Sequence, residues 1–423
     1  MQPSPTAEPR VHYAWWIVTA SLVIEFFGLG FGIFALTASY PYLIQTFGWS
    51  RTATLASMTF VVSTVALCGP LVGAFLDRHS IRPLFVAGSL IQAMALVLLS
   101  RVQTLPQYYA ASVLLGVGMS GVTVLPNQVL VSRWFRARLG LVNGIITAGT
   151  MLGGSASPVL LTRLAEQYGW RPAFLVMAVL VGTLPPLVSV LLVRDRPSDL
   201  GLAPYGGDGV EPVAQTAGAL GEAARQPTLW LLAVALFCGS WPCYAATKHI
   251  ILYLRELGVE PLMAAGTLSW MLFASTVGRL VFGSLWDYVP ARAILVADYV
   301  LLAAGSLLLL AAHLPAVRAV YVLVFGLAYG GLMPLVPLTV VAYFGRERMG
   351  AILGCFKLFY DGASATAPLL TAYLYDRLGS YTLAFELNAM LPCVALVVVA
   401  VLVRPPSRVD VPVGAPIAAV GGS

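Results

Sequence analysis

Twelve apolar runs constrain the fold of this chain more than any other feature of its sequence. Nearly every run reaches the ~20 residues with which an α-helix crosses the hydrocarbon of a bilayer. The chain is 59% hydrophobic and 10% charged, with a mean hydropathy of +0.86, whereas a soluble domain carries about 25% charged residues. Period-2 alternation is absent, and backbone polar groups cannot be left open to lipid. The sequence therefore predicts an all-α integral membrane protein.

A Gly-, Pro- and Ala-rich segment divides the predicted spans into two sets of six. It predicts an N-terminal six-helix bundle at 1–193, a cytoplasmic linker at 194–227, a C-terminal bundle at 228–404 and a cytoplasmic tail at 405–423. The length rule places the spans at 14–36, 52–76, 83–100, 106–132, 139–162, 172–193, 228–254, 261–286, 291–312, 315–343, 349–375 and 382–403.

The arginines between the spans predict the orientation of the chain. Fourteen arginines lie in one set of loops and termini and seven in the other. Because cytoplasmic loops carry the excess of Lys and Arg, both termini and the linker are expected to be cytoplasmic. The expected location is a plasma or inner membrane.

The two halves of the sequence repeat one another at a constant offset of 210 residues. Matched positions include Gly48/Gly258, Asp77/Asp287, Arg82/Arg292, Gly116/Gly326, Arg136/Arg346, Arg138/Arg348, Pro158/Pro368 and Gly169/Gly379. Abundant glycines alone do not easily explain Asp, Arg and Pro pairs in the same register. Two six-helix halves in parallel repeat are typical of major facilitator transporters, which bind substrate between the halves near mid-membrane.

Short motifs carry the family resemblance. GAFLDRHSIRP at 73–83 resembles the signature loop of the major facilitator superfamily, and GSLWDYVPAR at 283–292 is its weaker echo. FGWSR at 47–51, WFRARLGLVNGIITAG at 134–149 and YGWRPAF at 168–174 resemble the monocarboxylate transporters and the oxalate/formate antiporters. The resemblance implies twelve transmembrane helices in two six-helix pseudo-repeats, and a working monomer.

Several other classes of protein find little support in the sequence. There is no Walker A loop, no nucleophile elbow and no metal-ligand spacing among the four histidines, so neither an enzyme nor a metal or other cofactor is predicted. The basic residues that give the net charge of +6 do not form a cluster of the kind that binds nucleic acid. The five cysteines lie within apolar runs. The expected partners are a small organic anion, protons and the lipid bilayer.

Charged residues within the apolar runs predict the substrate site. Counted from the cytoplasmic boundary, Arg279 and Lys357 each lie ~12 Å deep and Asn127 ~9 Å deep. Buried cations become tolerable when an anion lies between them, and the arginine fork fits a carboxylate. The resemblance gives Arg279 the role of clamping that carboxylate. The resemblance to the antiporters makes Lys357 a candidate second contact, so that a dicarboxylate could bridge Arg279 and Lys357, and Asn127 is a candidate contact from the first half. The alternatives are an ion pair of Arg279 with Asp298 or Asp361, an ion pair of Lys357 with Asp361, and a hydrogen bond of Asn127 between helices.

Further site residues are expected from the resemblance and from burial. His249 is placed near the substrate, while Tyr329, Tyr360 and Cys393 are candidate cavity residues. Animal monocarboxylate transporters carry an acid where this chain has Ser275, and a lysine in the first span, where this chain has Glu25 instead. Their proton relay therefore does not transfer, and the proton-coupling candidates are Asp361, Glu25, Asp298 and His249.

Two groups of charged residues are expected to control conformation. Glu256 and Arg377 are candidates for an extracellular latch. Inter-helix charge locks at the cytoplasmic face are expected from Asp77, Arg78, Arg136, Arg138, Asp287 and Arg346.

Three functions remain open at this point. The first is proton-coupled transport of small monocarboxylates, and the second is organic-anion exchange of the oxalate/formate type. The third is a sensor that no longer transports.

Overall fold

The computed structural model describes residues 12–135, 139–206, 223–286, 288–344 and 349–403. Twelve long helical segments account for most of these residues, and no named strand occurs among them. We number the segments α1 Ala14–Phe47, α2 Arg51–Arg78, α3 Ile81–Ser100, α4 Leu105–Trp134, α5 Leu139–Tyr168, α6 Trp170–Leu192, α7 Pro227–Glu256, α8 Pro261–Leu285, α9 Ala291–Leu310, α10 Pro315–Phe344, α11 Met349–Leu378 and α12 Thr382–Leu402.

Eleven of these segments are long and apolar enough to cross a membrane. The twelfth, α11, has 30 residues and includes Lys357 and Asp361 within its length. The all-α membrane fold predicted from the sequence is thus confirmed. Two differences concern the first half. Helix α1 continues past Pro41 to Phe47, beyond the predicted end at 36, and α4 is interrupted by a turn at 121–123.

The 210-residue repeat is visible in the turns between helices. Gly48 and Gly258 follow α1 and α7 with positive φ angles of 66° and 79°, a conformation that only glycine adopts without steric cost. Ser50 then caps α2, its side chain accepting a bond from Ala53 N, and Glu260 caps α8 in the same way. Both short connections therefore turn through the same local device.

The repeat also governs how the helices pack. A Cβ atom added at Gly116 would meet Val61 O and Thr64 Cβ at 2.7 Å, and one added at Gly326 would meet Met271 O and Ala274 Cβ at 2.7 Å. Every residue of the second contact lies 210 positions after its counterpart in the first. Glycine therefore allows α2 to approach α4 closely, and α8 to approach α10 in the same way.

The first six helices meet the last six along a shared interface. Helix α5 packs against α8, α2 against α11, and the second part of α1 against α7. Glycines on α5 also bring α1 close, because a Cβ at Gly153 would overlap the carbonyl oxygen of Phe26. The middle of α1 and α5 is thus held at backbone contact distance, next to the interface.

Replacing Gly153 with alanine is expected to destabilise the protein. The added methyl group would force α1 and α5 apart, and overpacking of this kind typically costs about 1–3 kcal/mol. Gly144→Ala on the same helix is the matched control, because nothing lies within 4 Å of its added Cβ. The measurement is the unfolding temperature of the purified protein in detergent, and equal values for the two variants would contradict the packing.

Candidate functional site

One end of the interface is closed by charged contacts between the two sets of six helices. Arg51 Nη2 donates to Glu256 Oε2 at 3.2 Å. Asp376 Oδ1 accepts from Arg51 N at 3.0 Å, and Asp376 Oδ2 accepts from Thr52 N at 2.9 Å. We call Arg51, Thr52, Glu256 and Asp376 the interface latch. A carboxylate at a helix N-terminus satisfies free N–H groups and interacts favourably with the helix dipole, so α11 caps α2 across the interface.

The predicted contact between Glu256 and Arg377 is absent from this latch. Arg377 instead lies over the ring of Tyr373, 5.4 Å from its centroid, while Glu256 pairs with Arg51. The reason is the direction of the two side chains at the end of α11, where Asp376 rather than Arg377 faces α2. The expected charge locks lie outside the described side chains, which do not include Asp77, Arg78, Arg136, Arg138, Asp287 and Arg346.

His249 connects the latch to the body of α11. The Arg51 guanidinium lies 4.7 Å from the centroid of the Tyr381 ring, and the Tyr381 hydroxyl is 2.8 Å from His249 Nδ1. His249 Nε2 is 2.8 Å from the carbonyl oxygen of Pro368. A carbonyl can only accept, so Nε2 carries the proton and the Tyr381 hydroxyl donates to Nδ1 of the neutral ring. Both ring nitrogens of His249 are therefore occupied by the protein.

Arg279 lies on α8, where α8 faces α5. Its Nη1 donates to the carbonyl oxygen of Thr147 at 3.4 Å, and its buried Nε has no hydrogen-bond partner. Among the described acids none forms an ion pair with it, so the predicted alternatives with Asp298 and Asp361 are not formed. A guanidinium has five N–H donors. Most of the hydrogen-bonding capacity of Arg279 is unused by the residues that the structure describes.

Glu25 is an acid of the first six helices on which the charge of this arginine acts across the interface. It is fully buried and accepts from Asn127 Nδ2 at 3.2 Å and from Thr150 Oγ1 at 2.8 Å. Arg279 acts on it by Coulomb attraction across the interface, without direct contact. Asn127 also donates to the carbonyl oxygens of Val122 and Thr123, so its amide is held in place where α4 is interrupted.

Two tyrosines of the last six helices complete this region. Tyr329 on α10 is buried, Tyr360 on α11 is partly buried, and the charge of Arg279 acts on both hydroxyls. We call Arg279, Glu25, Asn127, Tyr329 and Tyr360 the central site. It joins one unsatisfied cation, one shielded acid and two hydroxyl groups, an arrangement that can hold a small anion.

Other expected site residues lie apart from this group or are already paired. Lys357 Nζ donates to Asp361 Oδ2 at 2.7 Å, one turn along α11, and both side chains are at least half exposed. Cys393 is exposed on α12, and its Sγ contacts the carbonyl oxygen of Ala389. Asp298 lines a small pocket within the last six helices, and both of its carboxyl oxygens lack partners.

Sequence reasoning did not find the residues of the latch other than Glu256. Arg51 and Asp376 lie 325 positions apart, and no local pattern links them. The pairing of Glu25 with Thr150 spans 125 positions and was missed for the same reason.

A twelve-helix membrane fold with a polar site between two repeated halves defines a transporter rather than an enzyme. The family model of the Major Facilitator Superfamily matches residues 22–365 and 268–419. The chain belongs to this superfamily.

Known relatives extend the comparison. Monocarboxylate transporter 10 of Danio rerio is 25% identical over 410 residues, covering 93% of this chain and 78% of that protein. Monocarboxylate transporter 13 of Rattus norvegicus is 26% identical over 386 residues, covering 90% and 86%. A crystal structure of a bacterial homologue of the human lysosomal transporter Spinster shares the fold, with a TM-score of 0.67 at 15% identity, over 93% of this chain and 95% of that one.

Removing the cap that α11 supplies to α2 is expected to favour opening of the latch end. Loss of a capping side chain typically costs about 1 kcal/mol, so Asp376→Ala should raise the open population about fivefold. The measurement is the distance distribution between spin labels at Gln45→Cys and Leu257→Cys, with the five native cysteines replaced. Arg377→Ala, which removes the neighbouring side chain, is the control. An Asp376→Ala distribution identical to that of the control would contradict the latch.

Proposed function

We propose that this protein is a secondary transporter of small monocarboxylates such as lactate or pyruvate, coupled to protons and working by alternating access. The observation that carries the proposal is Arg279, a cation between the two sets of helices with an unpartnered Nε. The similarity to monocarboxylate transporters over most of the chain supports the same substrate class. We propose a plasma or inner membrane location, cytoplasmic termini and a working monomer.

The number of available cations favours a monocarboxylate. A planar guanidinium binds a carboxylate through two parallel hydrogen bonds, and such charge-assisted bonds are about twice as strong as neutral ones. Lys357 is neutralised by Asp361, so the pair of cations expected from Arg279 and Lys357 for an oxalate-type substrate is not available at the central site. Anion exchange of the oxalate/formate type remains the alternative, and a transport-inactive sensor has no observation in its favour.

Glu25 is the best candidate for the proton carrier. Its carboxylate and the carboxylate of a substrate are both attracted to Arg279, and two negative charges near one cation repel each other. Substrate would therefore bind best when Glu25 holds a proton. The groups that face Glu25 from α4 and α5 are the uncharged Asn127 and Thr150, so Arg279 is the charged group that acts on it.

The other proton-coupling candidates fit less well. Asp361 is already paired with Lys357. Asp298 lies in a pocket lined only by residues of the last six helices, and it forms no ion pair with Arg279. His249 has both nitrogens engaged with Tyr381 and Pro368, so a second proton would break one of these bonds.

Alternating access would act through the interface latch. With the latch formed, the end of the bundle where α1 meets α2 is held closed. Opening that end requires separation of Arg51 from Glu256 and release of α2 by Asp376. A bound ligand can shift this equilibrium only by its different affinity for the two states, and contact with both α5 and α8 at Arg279 would supply such a difference.

Arg279→Gln is expected to abolish monocarboxylate uptake. The variant loses a charge-assisted pair, and each hydrogen bond to a charged group contributes about 1.5–3 kcal/mol, so uptake should fall at least about tenfold. The measurement is labelled lactate uptake into proteoliposomes under an inward proton gradient, with Arg377→Gln as an exposed control. Wild-type uptake by Arg279→Gln would overturn the assignment.

Glu25→Gln is expected to uncouple lactate transport from the proton gradient. The amide cannot take up or release the coupling proton, so stimulation by a proton gradient should be lost while lactate counterflow persists. Asp298→Asn is the matched control, because it removes another buried acid and should retain the stimulation. Full stimulation in Glu25→Gln would exclude Glu25 as the carrier. Wild-type protein that shows only counterflow of oxalate or formate would favour the exchanger instead.

A further inference from the structure

Lys248 is a buried cation to which the proposed function gives no role. Only 7% of its surface is exposed, and it is one of two lysines in the whole chain. Among the residues that the structure describes, no hydrogen bond or ion pair reaches its Nζ. Its Nζ instead makes a cation–π contact with Phe34, whose ring centroid lies 5.1 Å away.

The aromatic ring alone does not compensate for this burial. A desolvated cation–π contact contributes about 2 kcal/mol, whereas removal of an ammonium from water costs several kcal/mol even after relaxation. Lys357, the other lysine, shows the usual solution, because it pairs with Asp361. An anion bound next to Lys248 would supply the counter-charge that the described residues do not.

Lys248 lies on the same interface as the central site. Its neighbour Phe34 belongs to α1, and a Cβ added at Gly154 on α5 would contact both Phe34 and the side chain of Leu272 on α8. The region around Lys248 is therefore where α1, α5, α7 and α8 meet.

The position of Lys248 along the interface, relative to Arg279, can be measured on α8. Leu272 precedes Arg279 by seven residues, which is two helical turns along one face and about 10 Å. Lys248 also lies eight residues before Glu256 of the latch on α7. It is thus on the latch side of the central site.

We propose that Lys248 is a second carboxylate-binding position for the transported acid, between the interface latch and Arg279. This inference rests on the proposed function and extends it. A small monocarboxylate is too short to contact α7 and α8 at two levels that are two turns apart, so the two positions are occupied in turn. The charges support the position, because Lys357 pairs with Asp361 and Arg279 is assigned to the carboxylate at the central site, while Lys248 has no counter-charge among the described residues.

The scarcity of lysine allows a direct binding test. Reductive methylation with ¹³C-formaldehyde keeps the charge of the amine, and in the Lys357→Arg variant Lys248 is the only lysine labelled. Sodium lactate is expected to shift the Lys248 methyl resonance saturably, while sodium chloride at equal ionic strength does not. In Lys248→Arg, where Lys357 is the labelled lysine, the resonance should stay in place. An unshifted Lys248 resonance at lactate concentrations that saturate transport would overturn the proposal.

Transport kinetics give the second test. Lys248→Gln is expected to raise the KM for lactate entering from the latch side about tenfold, and Lys248→Arg should restore it. If Lys248→Gln has the same KM as an active wild-type protein measured in parallel, the second position is overturned and the proposed function stays intact. Absence of monocarboxylate transport by the wild type would instead overturn the proposed function, and the NMR titration would then decide whether Lys248 binds a carboxylate.

Discussion

Hydrocarbon offers no hydrogen bonds, so the polar side chains between these helices depend on the protein itself for partners. Ser and Thr hydroxyls return to carbonyl oxygens of their own helices, as Thr37 does to Ile33. Asn127 and Thr150 close around Glu25. Several buried groups of the described residues nevertheless have no hydrogen-bond partner, among them Nε of Arg279 and both carboxyl oxygens of Asp298. A charged group without a partner is more costly in this setting than at a solvated surface, so it indicates a functional role more strongly.

The helices, the repeat and the position of Arg279 within a membrane-spanning helix could be predicted from the sequence because each has a local or periodic signature. Apolar run length fixes a span, and a constant offset of 210 residues identifies equivalent positions in the two halves. Contacts between the halves have no such signature. The latch joins residues 205 and 325 positions apart, and charge alone favoured the nearby Arg377 as the partner of Glu256.

The sequence could not decide whether Lys357 pairs with Asp361 or contacts a ligand, and the physical reason is a different one. A lysine four residues before an aspartate on a helix can pair with it or reach a ligand, and spacing does not separate the two outcomes. The structure shows the pair. Lys248 presents the opposite case, since its sequence neighbours contain no acid within one turn and only tertiary packing reveals that none arrives from elsewhere in the described residues.

The capping of α2 by Asp376 has a consequence for local order. Ala53 N is satisfied by Ser50 of its own chain segment, whereas the amides of Arg51 and Thr52 depend on a carboxylate from the other half. When the halves separate, the first turn of α2 therefore loses two hydrogen bonds and keeps one. Amide hydrogen exchange within this single turn would then differ between neighbouring residues, so that the backbone itself records which end of the protein is open.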